Sequence, residues 1–177
     1  YGLSYTTFSM ESAFAEQKDS IEVKTTVRNT GNLAGKEAVQ VYIEAPQVAL
    51  DKPARVLAGF AKTKELAAGE EEHIILEIPK NTFASYDDSG VTGHRDCFVL
   101  LEGTYTIYVG TDVRTAQKAG SYPQTFTVLE QLEEVCAPQK PFARMTRKPG
   151  DVIGYSDTPE RVYGPYGRVG QAGGVFR

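Results

Sequence analysis

Ile21-Glu22-Val23-Lys24-Thr25-Thr26-Val27-Arg28, closed by Asn29-Thr30-Gly31-Asn32, decides the fold class. Ile21, Val23, Thr25 and Val27 alternate with Glu22, Lys24, Thr26 and Arg28. Successive side chains of a strand point to opposite faces, so this stretch has one core face and one wetter face. A helix would need apolar residues three and four apart, and the stretch lacks them. The closing Asn-Thr-Gly-Asn is turn chemistry, because Asn and Gly tolerate left-handed backbone.

The same pattern recurs on either side. Val39, Val41 and Ile43 alternate with more polar neighbours, as do Ile74, Leu76 and Ile78, and Tyr105, Ile107 and Val109. Ala68-Gly69-Glu70, Asp87-Asp88-Ser89-Gly90 and Glu102-Gly103 supply further turns. Short strands with frequent turns indicate an all-β sandwich. Strands are expected near 6–14, 20–29, 37–44, 54–63, 72–78, 95–101 and 103–110, with an eighth near 122–129 as a sheet edge. Val41 and Ile107 should be buried in facing sheets, and Thr26 should lie on a polar face.

Composition changes after Leu129. Glu130 to Val135 suits one short helical turn, and Pro138, Pro141, Pro149, Pro159 and Pro165 then interrupt the chain. Gly164, Gly167, Gly170 and Gly173 recur every third residue, but a collagen helix needs many such triplets and three chains. Residues 138–177 are therefore expected to be mostly irregular. Phe142, Tyr155, Tyr163, Tyr166 and Phe176 should anchor this extension on β-strands of its own sandwich or of a second copy.

The totals exclude several functions. Nineteen basic and twenty-three acidic residues give a net charge of −4, with no basic cluster suited to nucleic acid. The longest apolar runs, such as Phe98 to Leu101, are too short to span a bilayer. The first residues do not resemble a signal peptide, and a start at Tyr1 reads as a fragment. Cys97 and Cys136 read as two free thiols, which favours a reducing, cytoplasmic compartment.

Catalytic and metal patterns are not evident. No acidic pair sits on a motif of the kind a glycosidase needs. Asp87 and Asp88 read as turn formers rather than a calcium loop, because EF-hand ligand spacing is absent. His73, His94, Cys97 and Cys136 lack the two close couples of a structural zinc site. Gly-x-Ser-x-Gly, phosphate-loop and dinucleotide fingerprints are missing. Tyr42, Tyr105 and Tyr108 fall in strands, where aromatics serve packing. No catalytic residue, metal ligand or cofactor site is expected in this chain.

Ordered motifs along the chain carry a family resemblance. Tyr1-Gly2-Leu3-Ser4-Tyr5-Thr6-Thr7-Phe8 resembles the junction in family-three glycoside hydrolases where a catalytic domain meets a fibronectin type III-like sandwich. Val27-Arg28-Asn29-Thr30-Gly31 and Ala34-Gly35-Lys36-Glu37-Ala38-Val39-Gln40-Val41-Tyr42 are similar to that domain's second and third strands. Pro53, Leu57-Ala58-Gly59-Phe60 with Lys62, Leu66-Ala67-Ala68-Gly69-Glu70, Phe83 with Tyr86-Asp87, and Glu102 to Gly110 continue the match, which covers about residues 1 to 128. Relatives often carry a Trp before the last of these strands. Cys97-Phe98 stands there instead, with Phe98 expected to fill the core. The stretch from Leu129 through Phe142-Ala143-Arg144 looks like members with reversed domain order.

The resemblance implies an immunoglobulin/fibronectin type III-like sandwich over 1–129 and a Pro/Gly-rich extension or linker over 130–177. It implies a non-catalytic accessory module, because the family's nucleophile and acid/base lie in barrel and α/β sandwich domains that this chain lacks. Those domains of the same parent are the expected partners, with a homodimer as a further arrangement and no nucleic acid or membrane. Tyr1, Gly2, Leu3, Ser4, Tyr5 and Thr6 are the expected interdomain junction. The parent reaction implied is β-glucosidase-type hydrolysis of terminal β-linked sugars. A carbohydrate-binding module and an independent immunoglobulin-like interaction module are the alternatives.

Overall fold

A computed structural model describes residues 4–132 and the backbone of two short strands, Arg161–Tyr163 and Val169–Gln171. Ten strands lie in the first stretch: β1 (Phe8–Glu16), β2 (Ser20–Asn29), β3 (Ala38–Glu44), β4 (Val56–Lys62), β5 (Glu71–Pro79), β6 (Ser85–Asp87), β7 (Cys97–Leu100), β8 (Gly103–Gly110), β9 (Gln117–Gln124) and β10 (Thr127–Gln131). A 3₁₀ turn, Lys80–Phe83, follows β5. They form three antiparallel sheets, ordered β1-β2-β5, β4-β3-β8-β9 and β10-β7-β6.

The first two sheets make the sandwich, and the alternation of the sequence explains why. Ile21, Val23 and Val27 of β2 share one core with Val39, Val41 and Ile43 of β3 and with Tyr105, Ile107 and Val109 of β8. Val41 and Ile107 are fully buried as expected, but on the neighbouring strands β3 and β8 of one sheet rather than in facing sheets. Burying a side chain of this size contributes about 1.5–3 kcal/mol. Thr25 points inward as well, and its hydroxyl pairs with Ser12 Oγ at 3.0 Å, so the buried polar group is satisfied. Thr26 points outward and pairs with His73 Nδ1 at 2.9 Å.

Tyr105 fixes the start of β8. Its ring is fully buried, and its hydroxyl accepts the Leu101 amide at 3.0 Å. That bond from an inner-strand tyrosine to backbone just upstream is the tyrosine corner of immunoglobulin-like sandwiches. The ring stacks on Tyr122 of β9 with centroids 5.6 Å apart.

One sandwich strand differs from the sequence expectation. The segment near 95–101 is not in the sandwich: Cys97–Leu100 is β7, the centre of the third sheet. The seventh sandwich strand is instead β9, whose Gln-Lys-Ala-Gly-Ser-Tyr-Pro-Gln carries no run of large alternating apolar residues. It is an edge strand, and such strands tolerate Pro123. A Cβ added to Gly120 would lie 2.2 Å from Phe14 Cε1, so glycine lets the β1 phenyl lie against this edge. The strand expected near 122–129 is two strands, the end of β9 and the start of β10, which belong to different sheets.

Two smaller corrections follow. Phe98 does not fill the sandwich core. It is half-buried and packs against Tyr86 of β6, with centroids 5.0 Å apart, while Leu100 reaches the core. Cys97, Val99 and Leu101 cluster separately with Leu50. Glu130 and Gln131 extend β10 rather than starting a helical turn, with Gln131 opposite Cys97.

In the unit Lys140–Arg177, β11 (Arg161–Tyr163) and β12 (Val169–Gln171) pair antiparallel, with Arg161 opposite Gln171. This short ladder stands inside the extension expected to be mostly irregular. The expected anchors Phe142, Tyr155, Tyr166 and Phe176 lie outside the described residues.

Candidate interdomain junction

Of the expected junction, Tyr1, Gly2 and Leu3 lie outside the described residues. Ser4, Tyr5 and Thr6 are placed, and they run into β1 along a path held by hydrogen bonds. Ser4 Oγ donates to the Thr6 carbonyl at 2.7 Å. Thr7 presents its carbonyl to the amides of Thr30 and Gly31 at 2.8 and 3.2 Å, and its hydroxyl pairs with that of Thr30 at 3.0 Å. Thr6 Oγ1 donates to Asn29 Oδ1 at 2.8 Å. Tyr5, between these tied residues, is 84% exposed.

Asn29 organises this end of the sandwich. It is fully buried and uses both halves of its amide. Nδ2 donates to the carbonyls of Leu33 and Leu66 at 2.7 and 2.9 Å. Oδ1 accepts from Thr6 Oγ1 and from the Gly31 amide, the latter at 3.0 Å. Its backbone continues the pattern, donating to the Glu70 carbonyl at 2.9 Å and accepting the Gly69 amide at 3.0 Å. Leu66 also exchanges backbone hydrogen bonds with Gly35 at 2.8 and 3.1 Å.

Four motifs separated in sequence therefore meet here: the opening string, Asn29-Thr30-Gly31, Ala34-Gly35 and Leu66 to Glu70. Gly31 is required by closeness, because an added Cβ would lie 2.2 Å from Thr6 Oγ1 and 2.9 Å from the Thr7 amide nitrogen. The role of Asn29 was not read from the sequence. Asn in a turn signals local backbone bonding, and nothing local reveals that its amide reaches Leu66.

Among the described residues, the remaining candidates are each held in local contacts. Asp87 is fully buried at the end of β6. Its Oδ1 accepts the Gly90 amide at 2.8 Å and both Ser89 donors at 2.9 and 3.0 Å. Oδ2 accepts the Thr92 amide and hydroxyl at 2.8 and 2.7 Å. Burial alone would raise this carboxyl, but the bonds from Thr92, Ser89 and Gly90 outweigh it and hold it well below the usual carboxylate range. A carboxylate so occupied closes its own turn.

Lys52, which donates to Ser85 Oγ at 3.3 Å, is pulled down to about 8 by burial. His73 bonds Thr26, His94 stacks on Phe126 with centroids 5.4 Å apart, and Cys97 is a buried free thiol. Cys136 lies outside the described residues. Among the described residues, no group of three or more His, Cys, Asp or Glu side chains is placed to hold a metal ion.

Known proteins match this architecture. A family model described as the fibronectin type III-like domain matches residues 37–113. A β-glucosidase from Ruminococcus albus is 46% identical over 160 residues, which is 90% of this chain and 17% of that protein. The solved β-glucosidase of Paenibacillus barengoltzii is 42% identical with a TM-score of 0.77, covering 85% of this chain and 18% of its own. β-Glucosidase 3B of Thermotoga neapolitana, solved with glucose, is 37% identical with a TM-score of 0.65, covering 72% of this chain and 17% of its own. The chain thus spans about a sixth of the relatives it matches. These matches, with the sandwich described above, place the chain among the fibronectin type III-like domains found in β-glucosidases of glycoside hydrolase family three.

Proposed function

We propose that this chain is a non-catalytic accessory domain of a longer family-three glycoside hydrolase. Its role is to brace the barrel and α/β sandwich domains of that parent, whose reaction is β-glucosidase-type hydrolysis of terminal β-linked sugars. The observation that carries this is the tied entry at Asn29. A segment held by Thr6 Oγ1 and the Thr7 carbonyl leaves a neighbouring domain a defined direction rather than a free tether. Tyr1 to Thr6 serve as the junction, residues 1–129 as the sandwich, and 130–177 as the extension towards a further domain. Self-association of the parent through the module belongs to the same reading, and sedimentation of the parent with and without the module tests it.

A sugar-binding platform finds less support. Stacking needs open rings, yet Arg55 lies 3.6 Å above the Tyr108 ring and Tyr42 is buried, which leaves Phe60 as the single well-exposed ring of β3, β4 and β8 among the described residues. The test of the accessory reading uses two proteins, the full-length polypeptide and the 177-residue chain. The first should hydrolyse a nitrophenyl β-glucoside and the second should stay at buffer background. Turnover by the short chain that vanishes when one of its own acids is replaced would overturn the reading.

A further inference from the structure

The two outer faces of the sandwich differ in chemistry. On the β1-β2-β5 sheet, cross-strand rows set Arg28 beside Glu71, Lys24 beside Ile75, and Glu22 beside Glu77. Lys24 and Glu22 form an ion pair at 2.9 Å, and Ile75 is the large exposed apolar side chain among these charges, with the small Ala13 and Ala15 of β1 beside them. Such a face is at home in water.

The β4-β3-β8-β9 sheet is different. Phe60 stands opposite Gln40, and Leu57 opposite Tyr42 and then Tyr108. Phe60 is 72% exposed and Leu57 is 46% exposed. Two polar groups beside them are already engaged, while Lys62 at the end of β4 stays exposed: Gln40 Nε2 donates to the Thr111 carbonyl at 2.6 Å, and Arg55 bonds Glu44 at 3.3 Å while covering Tyr108. An exposed apolar surface whose neighbouring polar groups are used internally suits burial against protein.

The entry segment begins at the border of this same face. Ser4 lines a groove of about 500 Å³ together with Gln40, Tyr42, Thr111, Asp112 and Val113. Tyr5 follows it, exposed. The relatives also extend well beyond the matched part, which is 17% of the Ruminococcus albus protein. We infer that the outer face of β4-β3-β8-β9, centred on Phe60 and Leu57, seats a neighbouring domain of the same polypeptide, and that the outer face of β1-β2-β5 faces solvent. This inference rests on the accessory reading and adds to it the surface that carries the brace.

Site-directed thiol labelling tests it. Phe60→Cys, Leu57→Cys and the control Lys24→Cys are made in the 177-residue chain and in the full-length polypeptide, with unsubstituted proteins as the background for Cys97 and Cys136. All three sites should label quickly in the short chain. In the full-length polypeptide, positions 60 and 57 should label about tenfold more slowly or less, because an interface core excludes solvent, while position 24 keeps its rate. Equal labelling at 60 and 24 in an active full-length hydrolase overturns the docking face but leaves the accessory reading intact. Protection of position 60 already in the short chain assigns the cover to residues 133–177 and also overturns the inference. A full-length product without hydrolase activity defeats the accessory reading itself.

Discussion

Asn29 and Asp87 are both fully buried polar side chains at strand ends, yet they organise the molecule over different distances. The Asn29 side chain bonds Thr6, Leu33 and Leu66, residues far apart in the chain, whereas the Asp87 carboxylate bonds Ser89 to Thr92. Their chemistry follows from what surrounds them. Carbonyls and donors both converge on position 29, so an amide with two donors and an acceptor fits. Only donors converge on position 87, so a carboxylate fits. A side chain that joins distant segments should matter to the whole fold, and one that closes its own turn should matter locally.

Asn29→Asp should show the largest effect. The new oxygen faces the carbonyls of Leu33 and Leu66 with no donor of its own, and a buried charge held against two carbonyls costs about 3–5 kcal/mol in urea unfolding at pH 7. Its folded-state pKa should lie above the unfolded value, so the native state binds the extra proton. Stability of this variant should be best in acid and fall as pH rises through the folded pKa. A loss at pH 7 no larger than that of Asp87→Asn would break the comparison. Ile107→Ala supplies the apolar yardstick at about 2–4 kcal/mol, because it empties a fully buried site between the sheets. A negligible cost there would show the face assignment to be wrong.

Asp87→Asn comes next, at about 1–2 kcal/mol. The pH dependence has the opposite sign. The native carboxyl is held low, so its contribution is present above the unfolded pKa of about 3.9 and is lost as pH falls through the folded value. The deficit of Asp87→Asn should therefore be full at pH 7 and shrink in acid. Hydrogen exchange should quicken at Ser89 to Thr92 and leave β2 and β3 protected. Equal quickening in β2 would make Asp87 a global hub like Asn29.

Gly31→Ala sharpens the Asn29 side, with an expected cost of about 1 kcal/mol from crowding Thr6 and Thr7. Exchange at the Thr30 amide, which donates to Thr7, should rise while the core strands hold. Thr26→Ala, on the wet face of β2, should stay within about 0.5 kcal/mol in the same denaturant series. A larger loss would mean that its pair with His73 counts for more than an exposed hydrogen bond.

The inward residues of β2, β3, β5 and β8 were legible from the chain because strand geometry repeats every two residues, whatever lies across the core. The turns after Val27 and before Glu71 were legible because Asn and Gly carry their backbone preference locally. The family resemblance followed from the order of the motifs. The membership of β7 and β9 was not legible. Phe98 to Leu101 is an unbroken apolar run that a sandwich core could equally hold, but Cys97–Leu100 pairs with Ser85–Asp87 and Thr127–Gln131. Gln117–Gln124 carries small and polar residues because Phe14 and Tyr105 supply the bulk at that edge.

Periodicity, composition and turn chemistry are properties of neighbours along the chain, and they were enough for the fold class and for which residues of β2, β3, β5 and β8 face inward. Which strand joins which sheet, what Asn29 holds, and which outer face keeps Phe60 in the open depend on residues tens of positions apart. Tertiary structure alone decided these, because only folding brings the partner atoms within hydrogen-bonding or van der Waals distance.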